Sequence, residues 1–304
     1  MTDPDPHFRP VPGLAETLAP GLRRVLAPNP SPMTFRGTNT YLLGTQGLAV
    51  IDPGPDNSSH LQAILEAVGP RQRISHILVT HAHLDHSPLS RPLAAATGAP
   101  VLAFGSAEAG RSAVMQRLAA SGTVGGGEGI DAAFAPDAAV TDGDMVQGDG
   151  WTLEVLHTPG HIGNHISLAW GDALFCGDHV MGWASSLVSP PDGDLTDFMA
   201  SCCRLQSRRW SVLYPGHGAP VADPAARLDW LMTHREARET AILAALQDGP
   251  ARAPELAARV YTDIDARMLP AAGRNVLAHL IDLMTKNRVS CVDPLTAEAR
   301  FSLR

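Results

Sequence analysis

Lysine is almost missing from this 304-residue chain: Lys286 is the only one, and arginine supplies the rest of the 23 basic residues. Schiff-base lysine chemistry is therefore closed to every other position. Aromatic residues are scarce at 5%, and there are four cysteines, at 176, 202, 203 and 291. These show neither the paired spacing of a zinc ribbon nor the density of a disulfide framework, which points to a reducing compartment. Basic charge is outweighed, 23 residues against 31 acidic, for a net charge of -8 with histidine neutral. That balance disfavours a general polyanion binder. No apolar run approaches the roughly 18 residues of a membrane span. The opening MTDPDPHFRP sets acids and prolines where an export signal needs a basic stretch and an apolar core. A cytoplasmic protein with no membrane partner is expected.

What the chain does have is a 44% apolar content, enough for a sizeable core, in a length that suits one large domain or two. Residues 1–36 are proline-rich and read as an extended arm with a strand at 22–27. Short apolar strands follow at 39–43 and 48–51, then a helix capped by Asn57 or Ser58 and running to Val68. A buried strand at 74–79, a helix at 89–97, a strand at 100–103 and a helix at 106–120 come next. Residues 121–150, rich in Gly, Asp and Ala, read as a flap-like loop with little core of its own. Strands at 151–156, 165–170, 173–176 and 211–214, with a helix at 196–209, complete an α/β pattern. The texture changes beyond residue 222. Helices at 223–246, 253–261 and 271–286, with strands at 289–292 and 299–303, give the outline of a winged helix. Residues 1–222 hold 12 basic and 20 acidic residues, whereas 223–304 hold 11 of each, and the boundary is expected there.

The 13 histidines matter for where they fall. Directly after the strand ending at Val79 stands Thr80-His81-Ala82-His83-Leu84-Asp85-His86. Four ligand-type side chains within six residues bring no packing benefit on a strand-end loop, but imidazole and carboxylate suit zinc, manganese or iron. Three later strands each end in another candidate: His161 in His157-Thr158-Pro159-Gly160-His161, Asp178 in Cys176-Gly177-Asp178, and His217 in Tyr214-Pro215-Gly216-His217. Five histidines and two aspartates are too many for one tetrahedral ion and suit two ions that share a carboxylate. Asp52, His165, His179 and Tyr214 lie near these positions in sequence, or at neighbouring strand ends, as candidates for supporting the ligands or touching substrate. His60 is expected on a helix surface.

The chain resembles the metallo-β-lactamase-fold hydrolases. HAHLDH matches that family's HxHxDH motif, and HTPGH, CGDH and YPGHG stand where its later motifs do, across about residues 20–220. The resemblance implies a four-layer αββα sandwich with two metals at the edge between its sheets. By position, His81, His83 and His161 would hold the first metal. Asp85, His86 and His217 would hold the second, with Asp178 bridging. A narrower resemblance, to the beta-lactamase-like protein 2 subfamily, rests on Asn29–Tyr41, on Gly177–Trp183 with Pro190-Pro191-Asp192, and on Ala271–Leu280. It implies a small α+β winged-helix domain after the sandwich. Many members of that subfamily carry Asp where this chain has Asn164, which leaves the ligand set intact but bears on substrate contacts.

The chemistry expected is hydrolysis by a metal-bridging hydroxide, since two divalent ions lower the pKa of a bound water towards neutrality. Asp85 would orient that nucleophile or relay its proton. The subfamily resemblance implies single-stranded RNA as substrate, and the wider family a thioester or lactone, as in glyoxalase II-type enzymes. Exported β-lactamases typically lack the bridging Asp, so Asp178 and the missing export signal speak against an antibiotic-degrading role. Two other readings compete: a winged-helix regulatory binding protein with a structural metal site, and an iron-dependent oxidation. The full ligand set argues against both, because a structural site closes with four ligands and the oxidative relatives use one iron. Homodimers are common among such relatives, while the sequence itself leaves the oligomeric state open.

Overall fold

A computed structural model describes residues 3–262, 264–291 and 295–304. Strands β1 (Glu16–Ala19), β2 (Leu22–Leu26), β3 (Asn39–Leu43), β4 (Gly47–Ile51), β5 (Arg73–Leu78), β6 (Val101–Ala103) and β7 (Ala138–Ala139) form one sheet in chain order. Pairing is antiparallel as far as β4 and parallel from there on. A second sheet takes β8 (Met145–Gly148), β9 (Trp151–His157), β10 (Ile166–Trp170), β11 (Ala173–Gly177) and β12 (Val212–Pro215), antiparallel except for β11 with β12.

The period-two alternation of strand side chains separates two cores. Leu42, Val50 and Ile77 face outward onto Ile64 of α1 (Ser58–Glu66) and Leu93 of α2 (Ser90–Thr97). Their neighbours Leu43, Ile51 and Leu78 face inward, against Leu153, Val155, Ile166 and Leu168 of the second sheet. On that sheet's far side, Leu156, Ala169, Leu174 and Leu213 pack on Leu205 of α4 (Leu195–Gln206) and on Leu228 and Leu231 of α5 (Pro224–Ala245). The layers are therefore helix, sheet, sheet, helix, the four-layer αββα sandwich.

The C-terminal domain has its own core. Ile242, near the far end of α5, meets Leu256 of α6 (Ala253–Val260), Val276, Leu277 and Leu280 of α7 (Leu269–Thr285), and Phe301. Three strands, β13 (Ala251–Arg252), β15 (Arg300–Leu303) and β14 (Val289–Cys291), lie side by side in that order. Two or three helices and a small antiparallel sheet make a winged helix. Helix α5 serves both cores, because its first turns cover the sandwich and its last turns enter the winged helix. Residue 292, the end of an expected strand, lies outside the described residues.

Several local expectations change. The helix expected at 106–120 is confined to α3 (Ala113–Ser121), capped by Ser112. Gly110 sits at φ 74° against the backbone of Gly163, so the chain there is bent into turns. Residues 121–150 do contribute core: Val124, Phe134 and Val140 are buried, and β7 and β8 join the two sheets. His60 is buried rather than on a helix surface, with Nε2 on Thr40 Oγ1 at 2.8 Å. Among the described residues no helix is long and apolar enough to cross a membrane.

Candidate metal centre

The strand ends of both sheets meet at one rim. The segment after β5 supplies His81, His83, Asp85 and His86, the one after β9 supplies His161, and the ends of β11 and β12 supply Asp178 and His217. Two groups result: His81, His83 and His161 in one, Asp85, His86, Asp178 and His217 in the other, with the ligand-type atoms of each group within 4.8 Å of one another. Asp178 Oδ2 lies 3.8 Å from His161 Nε2 and 3.3 Å from His217 Nε2, so its carboxylate reaches both groups.

Each ring is oriented by what its other nitrogen does. His86 Nδ1 donates to Asp52 Oδ2 at 3.0 Å, His161 Nδ1 to the Leu187 carbonyl at 2.6 Å, and His217 Nδ1 to the Gly37 carbonyl at 3.1 Å. Thr80 Oγ1 donates to Asp52 Oδ2 at 2.8 Å and so accepts from His81 Nδ1 at 2.9 Å. Each bond fixes the tautomer of its ring, so that the facing nitrogen, once deprotonated, directs a lone pair into the centre. His81 Nε2 is buried there with no hydrogen-bond partner among the described residues, and His83 Nδ1 faces His161 Nε2 at 3.0 Å. Unpartnered buried nitrogens cost free energy unless something electrophilic meets them. A divalent ion of the zinc, manganese or iron type is what this donor set fits.

The charge states agree. Burial depresses His81 well below the ordinary imidazole value, with His86 and His83 adding to it, and takes His83 down to about 3. Burial lowers His161 as well. The first group is thus three neutral imidazoles. In the second, burial opposes charge on His86 and His217, but the carboxylates outweigh it: His217 rises to about 10 through Asp178 and Asp85. The same pairing holds Asp85 and Asp178 ionised against the effect of burial. Cationic charge is therefore what this group is arranged to balance. Gly216 is required for the close approach, since a Cβ there would overlap Asp178 Oδ1 and His86 Cε1.

The remaining candidates divide. Asp52 lies against the centre, accepting from His86, from Thr80 Oγ1 and from the Thr80 amide at 2.7 Å, with its own backbone at φ 51°. Asn164 braces the ligand loop, its Oδ1 accepting from the Ala82 amide at 3.3 Å and its Nδ2 donating to Ser106 O at 3.1 Å. His165 is held by Thr158 Oγ1 at 2.9 Å, and His179 Nε2 lies 3.4 Å from Cys202 Sγ. Tyr214 is placed elsewhere: its ring stacks on Phe175 and meets Tyr41 in the core between the sheets, so it does not face the cavity. Strand β12 ends in a ligand, but Tyr214 precedes that ligand by three residues and points inward.

Other contributors were not anticipated. Ser87 Oγ bonds Asp131 Oδ2 at 2.7 Å, and the Leu84 amide donates to Gly129 O at 2.8 Å, so the 121–150 segment clasps the ligand loop. The carbonyls of Gly37 and Leu187 carry no sequence signal at all. A cavity of about 500 Å³ opens beside His83, Asp85, His161, Asp178 and His217. Its walls come from both domains: Met33, Ile130 and Leu187 on one side, Ile264, Met268 and Ala272 on the other.

A two-sheet α/β sandwich carrying paired His/Asp clusters at its rim, one carboxylate between them, defines a metal-dependent hydrolase. Residues 33–238 match the model of the metallo-beta-lactamase superfamily, and residues 253–294 match that of the beta-lactamase associated winged helix domain. The chain belongs to the metallo-beta-lactamase superfamily. It is 31% identical over 249 residues to an atrochrysone carboxyl ACP thioesterase of Aspergillus fumigatus, a match covering 79% of this chain and 70% of that one. It is 29% identical over 279 residues to a beta-lactamase-like protein 2 homolog of Drosophila melanogaster, covering 88% of each. The crystal structure of a beta-lactamase domain protein from Burkholderia ambifaria superposes with a TM-score of 0.81 at 21% identity, covering 98% of this chain and 96% of that one.

Proposed function

We propose that this hydrolase cleaves an ester-type bond, in the first place a thioester, whose acyl part is apolar. The observation that carries this reading is the cavity lining. Beside the metal centre the walls are mostly apolar, with Met33, Ile130, Leu187, Ile264, Met268 and Ala272, although Glu128, Asp192, Asn275, Ser185 and Ser189 also border it; among the described residues no lysine or arginine lines it. An apolar acyl chain gains by leaving water for such walls, whereas an RNA phosphodiester would meet no cation there except the metals. The sequence kinship with a thioesterase supports the same choice.

Two divalent ions, zinc in the first instance with manganese or iron as substitutes, would be held by His81, His83 and His161 and by Asp85, His86 and His217, with Asp178 between, and would supply Lewis acidity and an activated water. The chain's own groups do the rest. Asp85 borders the cavity and stays ionised, with Oδ2 at 3.0 Å from His217 Nε2, so it can take up a proton beside the reacting carbonyl. Met33, Ile130 and Met268 exclude water around the acyl chain. The open side of the cavity leaves room for the leaving group.

The test is a substrate panel on one metal-reconstituted preparation: acyl thioesters of increasing chain length, an aliphatic lactone, a β-lactam and single-stranded RNA. Expected is turnover of thioesters with kcat/KM rising along the acyl series. RNA cleavage with no thioester turnover would replace the proposal with the nuclease reading.

A further inference from the structure

We infer that the C-terminal domain positions one metal ligand, His161, through a three-residue clamp on the loop at 186–190. The inference rests on the reading of His81, His83 and His161 as metal ligands. His161 Nδ1 donates to the carbonyl of Leu187 at 2.6 Å, and that bond decides where Nε2 points. Leu187 belongs to a stretch without regular structure between β11 and α4, so nothing within the sandwich's sheets fixes its carbonyl.

Ser186 Oγ donates to the His179 carbonyl at 2.9 Å, and the remaining side-chain grip on the loop comes from helices α5 and α7. Asn275 Oδ1 accepts from the Val188 amide at 2.9 Å, and Val188 is fully buried. The same oxygen accepts from Arg235 Nη1 at 3.1 Å, while Arg235 Nη2 donates to the Ser186 carbonyl. The residues on either side of Leu187 are thus held by one connected pair. Arg274 extends the grip, donating to Ser189 Oγ at 2.8 Å and to the Pro190 carbonyl. Arg235 is 2% exposed and its guanidinium lies over the Phe198 ring at 5.0 Å. A buried arginine on two acceptors and a ring is rigid, and removing one acceptor leaves its charge and the Val188 amide short of partners. Asn275, Arg235 and Arg274 are positioning residues: they set the Leu187 carbonyl, and the carbonyl sets His161.

The experiment is metal retention by the full-length protein, read by elemental analysis after dialysis against a graded chelator and by the visible spectrum of the cobalt-substituted form. Asn275→Ala should lose one of the two ions on the order of tenfold more readily than wild type, the magnitude seen when a ligand's outer partner is removed. The second ion should stay at wild-type affinity. Asn275→Asp keeps an acceptor for both donors and should restore retention. Thr196→Val removes a different contact between the domains, Thr196 Oγ1 to Asp282 Oδ1 at 2.7 Å, which does not touch the loop, and should keep both ions. Wild-type retention of both ions by Asn275→Ala overturns the clamp, as does equal loss from Thr196→Val, which would mean domain docking in general. A wild-type protein that binds no pair of ions overturns the metal-centre reading itself.

Discussion

At the scale of single residues, a histidine serves as a ligand when one ring nitrogen is already committed and the other is left facing inward. Four of the five ligand-type histidines meet that condition through an acceptor shown here: Asp52, Leu187 O, Gly37 O or Thr80 Oγ1. The ligand-type side chains could be picked out in HAHLDH, HTPGH, CGDH and YPGHG, because a cation needs particular side-chain types. The carbonyl acceptors were not, because every residue has a carbonyl and only folding selects two of them. His83→Ala and Asp178→Ala should each leave a folded protein that has lost catalysis by several kcal/mol of barrier, a drop of a thousandfold or more in kcat/KM. Wild-type protein should carry close to two ions per chain, and Asp178→Ala fewer. Steady-state kinetics and elemental analysis on the same samples read both.

At the scale of elements, the site depends on where strands stop. β5, β9, β11 and β12 each run into a ligand-type residue, and the two sheets face each other, so four strand ends converge on one rim. Gly216 lets the end of β12 pass against Asp178 and His86. Gly216→Ala is therefore expected to lower metal retention tenfold or more while circular dichroism stays unchanged, because only a methyl group is added and it lands among ligands. The strands and most helices could be read from alternation and capping signals, including Asn57, whose side chain accepts from the His60 amide at 3.0 Å. The short strands β1, β7, β8 and β13 could not. They are two to four residues long and exist because a neighbouring strand offers them hydrogen bonds. The helix expected at 106–120 failed in its first half because Gly110 has to pass the Gly163 backbone, a contact between residues 53 apart that no local pattern records.

At the scale of the whole molecule, the two domains share a helix, a cavity and a clamp, and they should melt as one unit. Buried neutral histidines set the acid limit of that unit. Burial takes His60 down to about 4 and His279 down to about 3 from an ordinary 6.5. A histidine with a depressed folded pKa binds fewer protons folded than unfolded in that window. Its contribution is complete above pH 6.5 and is lost as pH falls towards 4 for His60 and 3 for His279. Among the described residues His279 has no hydrogen-bond partner on either ring nitrogen, so His279→Leu sacrifices none of those bonds. That variant should gain about 1–3 kcal/mol over wild type at pH 4 and little at pH 7.5, read from urea midpoints at the two pH values.

Residue type and spacing were enough to assign the superfamily, the seven ligand-type side chains and the winged helix that follows. Folding in three dimensions was needed to turn Tyr214 into the core, bury His60, give the cavity mostly apolar walls from both domains, and set Arg235 and Asn275 on the loop beneath His161. Those outcomes depend on which distant segments come to lie within a few ångströms, and packing between far-apart residues leaves no trace in local order along the chain.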